Sequence, residues 1–472
     1  MASSLTPHVP SGGVLRKNYL SAIENIAQSI GTIGPVANAG TVVPLLIYRS
    51  GNGTWLLFLG VLVAFWLVSR SIGVFATRFA SAGSLSAYAE AGLGRRFGSF
   101  AGWSYAVAMI FVVTSSGISV VYYLAMVISH FTAHVLGPAG LSALILGVVL
   151  LAWWPSYHDI KLSTKVMLVT EATSILLITV ILGIAMHRSH QWVDRAQLHL
   201  EGTSFAKYQL GFVLTFMMLS GFESMTTLGE EAKTATSTLP RAMLFCLLPV
   251  SLFILACIYG LTAVSHRLNL ALDQTAAPLD LVAQSIGHPT LGLLSSLAIA
   301  ASCFGCALGG FNAGSRVLFS MGRGRQVWAY LGSVHPKNGT PYRALDLLAV
   351  IAVAVPVAMI YLGVTMADAM DYTLQLATFG FLGGYLAVCV AAPVYLAARA
   401  ELKASTILTA VVTVAILGAV LVMTIVPVPT GTDRFLPYIF VGMIATGMMI
   451  SRLSARHPPG YEPSAPDPKP AN

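Results

Sequence analysis

The chain has 472 residues, 56% hydrophobic and 9% charged, with a formal net charge of +8 and a mean hydropathy of +0.77. Soluble domains run about 25% charged, so a soluble enzyme is excluded, as is a disordered chain, which needs low hydrophobicity and high charge. At about 20 apolar residues per crossing, there is room for about a dozen membrane spans and no large water-soluble domain.

The first twenty residues hold Arg16 and Lys17 but no short apolar core, and read as a polar tail rather than a cleavable signal peptide. Apolar runs of spanning length follow near 21–47, 54–77, 100–132, 140–155, 163–186, 206–229, 241–264, 289–320, 344–364, 372–397, 405–427 and 435–452. The fourth, around Leu141–Trp154, is the shortest. Residues 453–472 are Pro-rich and polar and read as a disordered tail. The expected fold is an all-α integral membrane protein of twelve spans.

The basic residues set the orientation. Arg49, Arg188, Arg195, Lys207, Arg267 and Arg434 fall beside the ends of the spans on one side, Arg70 lies within the second span, and all other Lys and Arg fall on the opposite side. This asymmetry follows the positive-inside rule and puts both termini in the cytoplasm of a multi-pass inner-membrane protein. The positive charge is then a membrane-face feature and not a nucleic-acid patch. Cys246, Cys257, Cys303, Cys306 and Cys389 all sit in apolar runs, so Cys303-x-x-Cys306 reads as two buried thiols rather than a redox pair. No His/Cys spacing suits a metal, and no acid, base and nucleophile set suits an enzyme.

Two spans are interrupted. The first contains Gln28-Ser29-Ile30-Gly31-Thr32-Ile33-Gly34-Pro35, and the sixth contains Met217-Met218-Leu219-Ser220-Gly221-Phe222-Glu223. Glycine weakens a helix and an internal proline breaks it; main chain freed at membrane depth is tolerated only beside protein or a cavity. Spans one and six hold equivalent places in two five-span units, 21–186 and 206–398, with 404–452 left as two peripheral spans. Five is odd, so the second unit is inverted, and paired breaks in inverted repeats point to a transporter's central site. Glycines that merely let helices pack are the competing reading.

Helix ends predict the chemistry. Pro35 suits the first position of an outer half-helix, whose free N–H groups would bind a carboxylate; carbonyls ending the other half-helices would suit an ammonium. The candidate substrate residues are Thr32, Ile33, Gly34 and Pro35, then Met217, Met218, Leu219, Ser220 and Gly221, with Phe311 opposite on span eight. Met218, Leu219, Phe222 and Phe311 favour a neutral or apolar side chain.

The sequence resembles the amino acid–polyamine–organocation (APC) superfamily of permeases. The likeness is carried by Arg78-Phe79-Ala80-Ser81-Ala82-Gly83-Ser84-Leu85-Ser86-Ala87-Tyr88-Ala89, by Gly221-Phe222-Glu223-Ser224 with Gly229-Glu230-Glu231-Ala232 and Pro240-Arg241-Ala242, by Leu308 to Arg316, and by Met321-Gly322-Arg323 continuing to His335-Pro336 and Gly339-Thr340-Pro341. It covers about Tyr19 to Arg452, and implies the inverted-repeat fold and secondary active transport of amino acids or related amines. The chain departs from the family in three places. Thr32-Ile33-Gly34-Pro35 replaces the usual Gly-small-Gly, Met217 stands where arginine/agmatine exchangers carry tryptophan, and Ser174 stands where some relatives place a lysine at a sodium site.

Carboxylates in a span are functional candidates. Glu223 at the second break is either a cap for the inner half-helix or, as the resemblance implies, a proton-linked gate. Glu171 in span five is a second coupling candidate, within reach of Lys165. Glu230 and Glu231 form an inner salt-linked gate or a solvated cluster beside Lys233 and Arg241, and Arg70 snorkels inward. The expectation is a secondary active permease that takes up a neutral or apolar amino acid by alternating access, driven by protons or else sodium, without a cofactor. Exchange of one amine or polyamine for another is the alternative within the class; a channel or a non-transporting amino acid sensor is the alternative outside it.

Overall fold

The computed structural model describes residues 14–132, 134–190, 192–272, 277–426 and 431–455, so most of both tails lies outside the described residues. Every regular element within them is helical. In chain order these are α1 (Ala22–Ile33), α2 (Pro35–Ser50), α3 (Thr54–Ala76), the short α4 (Leu85–Leu93), α5 (Arg95–Thr132), α6 (Pro138–His158), α7 (Ile160–Ser189), the single-turn α8 (Arg195–Leu198), α9 (Phe205–Met217), α10 (Ala235–Leu268), the short α11 (Pro278–Ser285), α12 (Pro289–Arg323), α13 (Tyr342–Tyr361), α14 (Met366–Ala397), α15 (Ala404–Met423) and α16 (Leu436–Ser454).

Among the described residues, ten stretches are long and apolar enough to cross a membrane. The first, Ala22–Ala76, contains α1 to α3 together; α9, with 13 residues, is too short to count alone. The fourth predicted span is longer than its apolar run: α6 has 21 residues. Pro138 opens it before the apolar residues begin, where a missing N–H costs nothing, and Ser156, Tyr157 and His158 extend it past Pro155.

Of these stretches α5, α12 and α14 are the most buried, and α15 and α16 the least. The buried three approach through glycines. A Cβ on Gly380 of α14 would stand 2.5 Å from the Ser104 carbonyl oxygen and 2.7 Å from Ala108 N on α5. One on Gly310 of α12 would stand 2.7 Å from a Val113 methyl, also on α5. In lipid, helices associate by such close packing and by interhelical hydrogen bonds. Both are present: Asn312 Nδ2 on α12 donates to Gln28 Oε1 at 3.0 Å and Ser163 Oγ at 2.9 Å. Gln28 Nε2 returns to the Gly309 carbonyl at 2.9 Å. The three bonds tie α1 and α7 to α12.

One end of the bundle is closed by ions and main chain. Arg316, fully buried, grips both carboxylate oxygens of buried Glu231. The main chain before α1 lies alongside: Leu20 N donates to the Glu231 carbonyl at 2.9 Å and Lys233 N to the Leu20 carbonyl at 2.8 Å, making an isolated parallel bridge between Leu20 and Ala232.

Candidate functional site

The first interruption is a single residue. Gly34 takes φ +59° and ψ +64°, a left-handed conformation that ends α1 and begins α2; L side chains disfavour it. Its N–H closes α1 onto the Ile30 carbonyl at 3.0 Å, and Pro35 starts α2 as expected. The amides that follow are not free. Val36 N donates to Glu171 Oε1 of α7 at 3.1 Å, and Ala37 N donates to Ser302 Oγ of α12 at 3.0 Å. The expected anion receptor at the start of α2 is thus filled by the chain's own carboxylate, because the dipole that would attract a substrate's charge attracts Glu171 equally well. Glu171 pairs here and not with Lys165; its Oε2 is buried without a hydrogen-bond partner.

The second interruption is long. α9 stops at Met217, a turn runs from Met218 to Glu223, Ser224–Leu228 form a 3-10 turn, and α10 starts only at Ala235. Gly221 has φ +95°, and its N–H donates to the Tyr385 hydroxyl of α14 at 3.2 Å. That hydroxyl in turn donates to Glu223 Oε2. Glu223 is fully buried, does not cap the following turn through its side chain, and leaves Oε1 without a hydrogen-bond partner.

The two interruptions are stitched together. Asn38 Nδ2 donates to the Ile33 carbonyl at 2.9 Å and to the Met218 carbonyl at 3.1 Å. Ser29 Oγ donates to the Phe222 carbonyl at 2.6 Å and accepts from Met225 N at 3.2 Å, and Ser224 Oγ donates to Thr32 Oγ1 at 3.0 Å. Carbonyls at the two breaks, those of Ile33, Met218 and Phe222, therefore already have partners, as buried main chain demands.

Beside this junction is a cavity of about 320 Å³, lined by both broken elements together with α5, α12 and α14. Of the residues singled out from sequence, Thr32, Ile33, Met217 and Ser220 line it. Gly34, Pro35, Met218, Leu219, Gly221 and Phe311 do not, and neither do Glu171 and Glu223. Phe311 is fully buried on α12. Asn38 and Gly40, which follow the first break in sequence, line it too, and so do residues that sequence reasoning passed over: Thr41 on α2, Ser115, Ser116 and Ser119 on α5, and Asp371 and Phe381 on α14. The serines were visible as a polar cluster, Thr114-Ser115-Ser116-Gly117-Ile118-Ser119, inside an otherwise apolar run.

An all-helical bundle with two joined breaks beside a cavity lined by both polar and apolar side chains is the arrangement expected of a transporter. The amino acid permease family model matches residues 24–450. The chain belongs to the amino acid permease family. It is similar to an uncharacterized transporter of Mycobacterium tuberculosis, 25% identical over 66% of this chain and 68% of that one. It is also similar to branched-chain amino acid permeases of Bacillus subtilis, 24% identical over 71% of this chain and 73% of the relative, and of Lactococcus lactis, 23% identical over 63% and 68%.

In this permease two of the other ionisable candidates pair at one end of the bundle. Glu230 is bound by Arg323 and accepts from Ala82 N at 3.2 Å, and Glu231 is held by Arg316. Their partners come from α12, not from Lys233 or Arg241 nearby in sequence. Arg70 is exposed and its guanidinium lies 5.1 Å from the Trp66 ring. The five cysteines are buried and free.

Proposed function

We propose that the chain is a secondary active permease that moves a neutral, apolar amino acid across the inner membrane together with protons, by alternating access. Separating α1/α2 from α3 and joining α9 to the turn after it gives twelve crossings. Spans 1–5 and 6–10 then make two inverted repeats, with both termini in the cytoplasm. The apolar part of the cavity lining, including Ile33, Val112, Leu214, Met217, Leu374 and Phe381, suits an aliphatic side chain, and relatives named branched-chain amino acid permeases point the same way.

The observation that carries the coupling reading is Glu223: a fully buried carboxylate at the junction of the breaks, hydrogen-bonded to Tyr385 of α14, with one oxygen unpartnered and no cation paired to it among the described residues. A buried unpaired carboxylate is stable only if it can take up a proton, and proton uptake that weakens or remakes the Tyr385 contact links the proton to helix position. Glu171 of α7, whose carboxylate meets the start of α2, is the second such group.

The test is uptake of labelled leucine into proteoliposomes under an imposed proton gradient. In Glu223→Gln, gradient-driven accumulation is expected to fall at least tenfold while counterflow of leucine persists. Unchanged accumulation and pH dependence in that variant would refute the coupling role.

A further inference from the structure

The cavity runs along α14 from Ala367 to Phe381, and Asp371 lies near its mouth, where Ala367 is exposed. At 1.5 Å per residue, about 15 Å of helix axis separates Asp371 from Phe381 at the deep end. Asp371 is the only aspartate, glutamate, lysine, arginine or histidine among the described residues that line the cavity. Its carboxylate is oriented from below by Gln375, whose Nε2 donates to Oδ2 at 2.9 Å. The charged groups acting on it are Arg49 at the end of α2, Asp368 one turn earlier and Asp433 before α16. Arg49 does not come within ion-pair distance of it. The mouth is therefore negative in a chain that is positive as a whole, and a half-buried carboxylate attracts a cation more strongly than an exposed one does. Among the described residues no fixed positive charge lines the cavity for a carboxylate, and the first amides of α2 are held by Glu171 and Ser302.

Resting on the amino acid reading above, we propose that Asp371 forms an outer recognition site that takes the substrate's ammonium group before the substrate reaches the broken helices. The permease then reads the amine end of its substrate first, and accepts zwitterions and amines while rejecting compounds whose only charge is a carboxylate. A leucine-sized molecule is shorter than the span from Asp371 to Phe381, so this is a separate step from binding at the junction.

Competition against labelled leucine in proteoliposomes tests it with two probes: isopentylamine, which is leucine without its carboxylate, and 4-methylpentanoate, which is leucine without its ammonium. The amine is expected to compete and the acid not. In Asp371→Asn, the KM for leucine and the half-inhibitory concentration of isopentylamine should rise at least tenfold with little change in Vmax, and Asp371→Glu should restore most of both. An acid that competes as well as the amine, or an amine whose potency stays within twofold in Asp371→Asn, overturns the proposal. If leucine neither binds nor enters while isopentylamine binds in an Asp371-dependent way, read by thermal shift, the amino acid reading fails and the outer amine site stands. If neither molecule binds, the outer site falls as well.

Discussion

Gly34 concentrates the demands of the first break in one residue. Its left-handed backbone costs an L side chain about 1–2 kcal/mol, and a Cβ there would stand 2.2 Å from Cys306 Sγ of α12. Gly34→Ala is therefore expected to lower the melting temperature of the purified protein by both routes. A Cys306→Ala background should recover the steric part and leave the backbone part; full recovery would mean that conformation contributes nothing. Asn38 is the second residue of this kind. Its amide satisfies one carbonyl from each break, and a buried acceptor left unpaired costs about 1–3 kcal/mol. Asn38→Leu should destabilise by a comparable amount and cut leucine counterflow; a variant that melts and transports like the parent would remove Asn38 from the junction's support. The carboxylates show where reading from sequence stops. Glu223 and Glu171 were visible as charges inside apolar runs, but their partners, Tyr385 and the Val36 amide, are 162 and 135 residues away. Sequence proximity offered Lys165 for Glu171, and the fold chose a helix terminus.

Among the elements, the breaks in spans one and six were legible because Gly-Pro and the Ser-Gly-Phe-Glu run interrupt apolar text. Their unequal character was not. One glycine suffices in the first, whereas the second forms no α-helix from Met218 until Ala235, since Tyr385, Ser29 and Asn38 provide partners for main-chain groups that an α-helix would otherwise satisfy. Asp371 escaped notice because its helix begins at Met366, several residues before the apolar run near 372 that marked the span. The Arg316–Glu231 pair joins α12 to the segment before α10. Removing one partner of a buried pair costs about 3–5 kcal/mol, whereas replacing both with apolar residues is often neutral. Arg316→Met alone should lower the melting temperature markedly, and Arg316→Met with Glu231→Leu should recover most of it. A single variant as stable as the parent would show that water reaches Glu231.

For the whole molecule, composition alone indicated lipid, and the distribution of Lys and Arg indicated an orientation. Both are long-range sums that local errors in span ends barely disturb. The orientation is open to direct measurement. In a background without native cysteines, Asn52→Cys, in the turn between α2 and α3, should react with an impermeant maleimide on intact cells. Asn338→Cys, before α13, should react only after permeabilisation. Reaction of both from the same side would contradict the twelve-span arrangement.

The glycine contacts that bring α14 and α12 onto α5 carry a mechanical corollary. A side chain at Gly380 or Gly310 would run into α5, so the three helices sit closer together than any larger residue would allow and form one tightly packed mast. Under the alternating access proposed above, the stroke is expected in the helices rigged around this mast, with α2 and the segment after α9 as the moving spars. A covalent strut between α5 and α14 should therefore leave turnover intact, while one between α2 and α5 should stall the cycle.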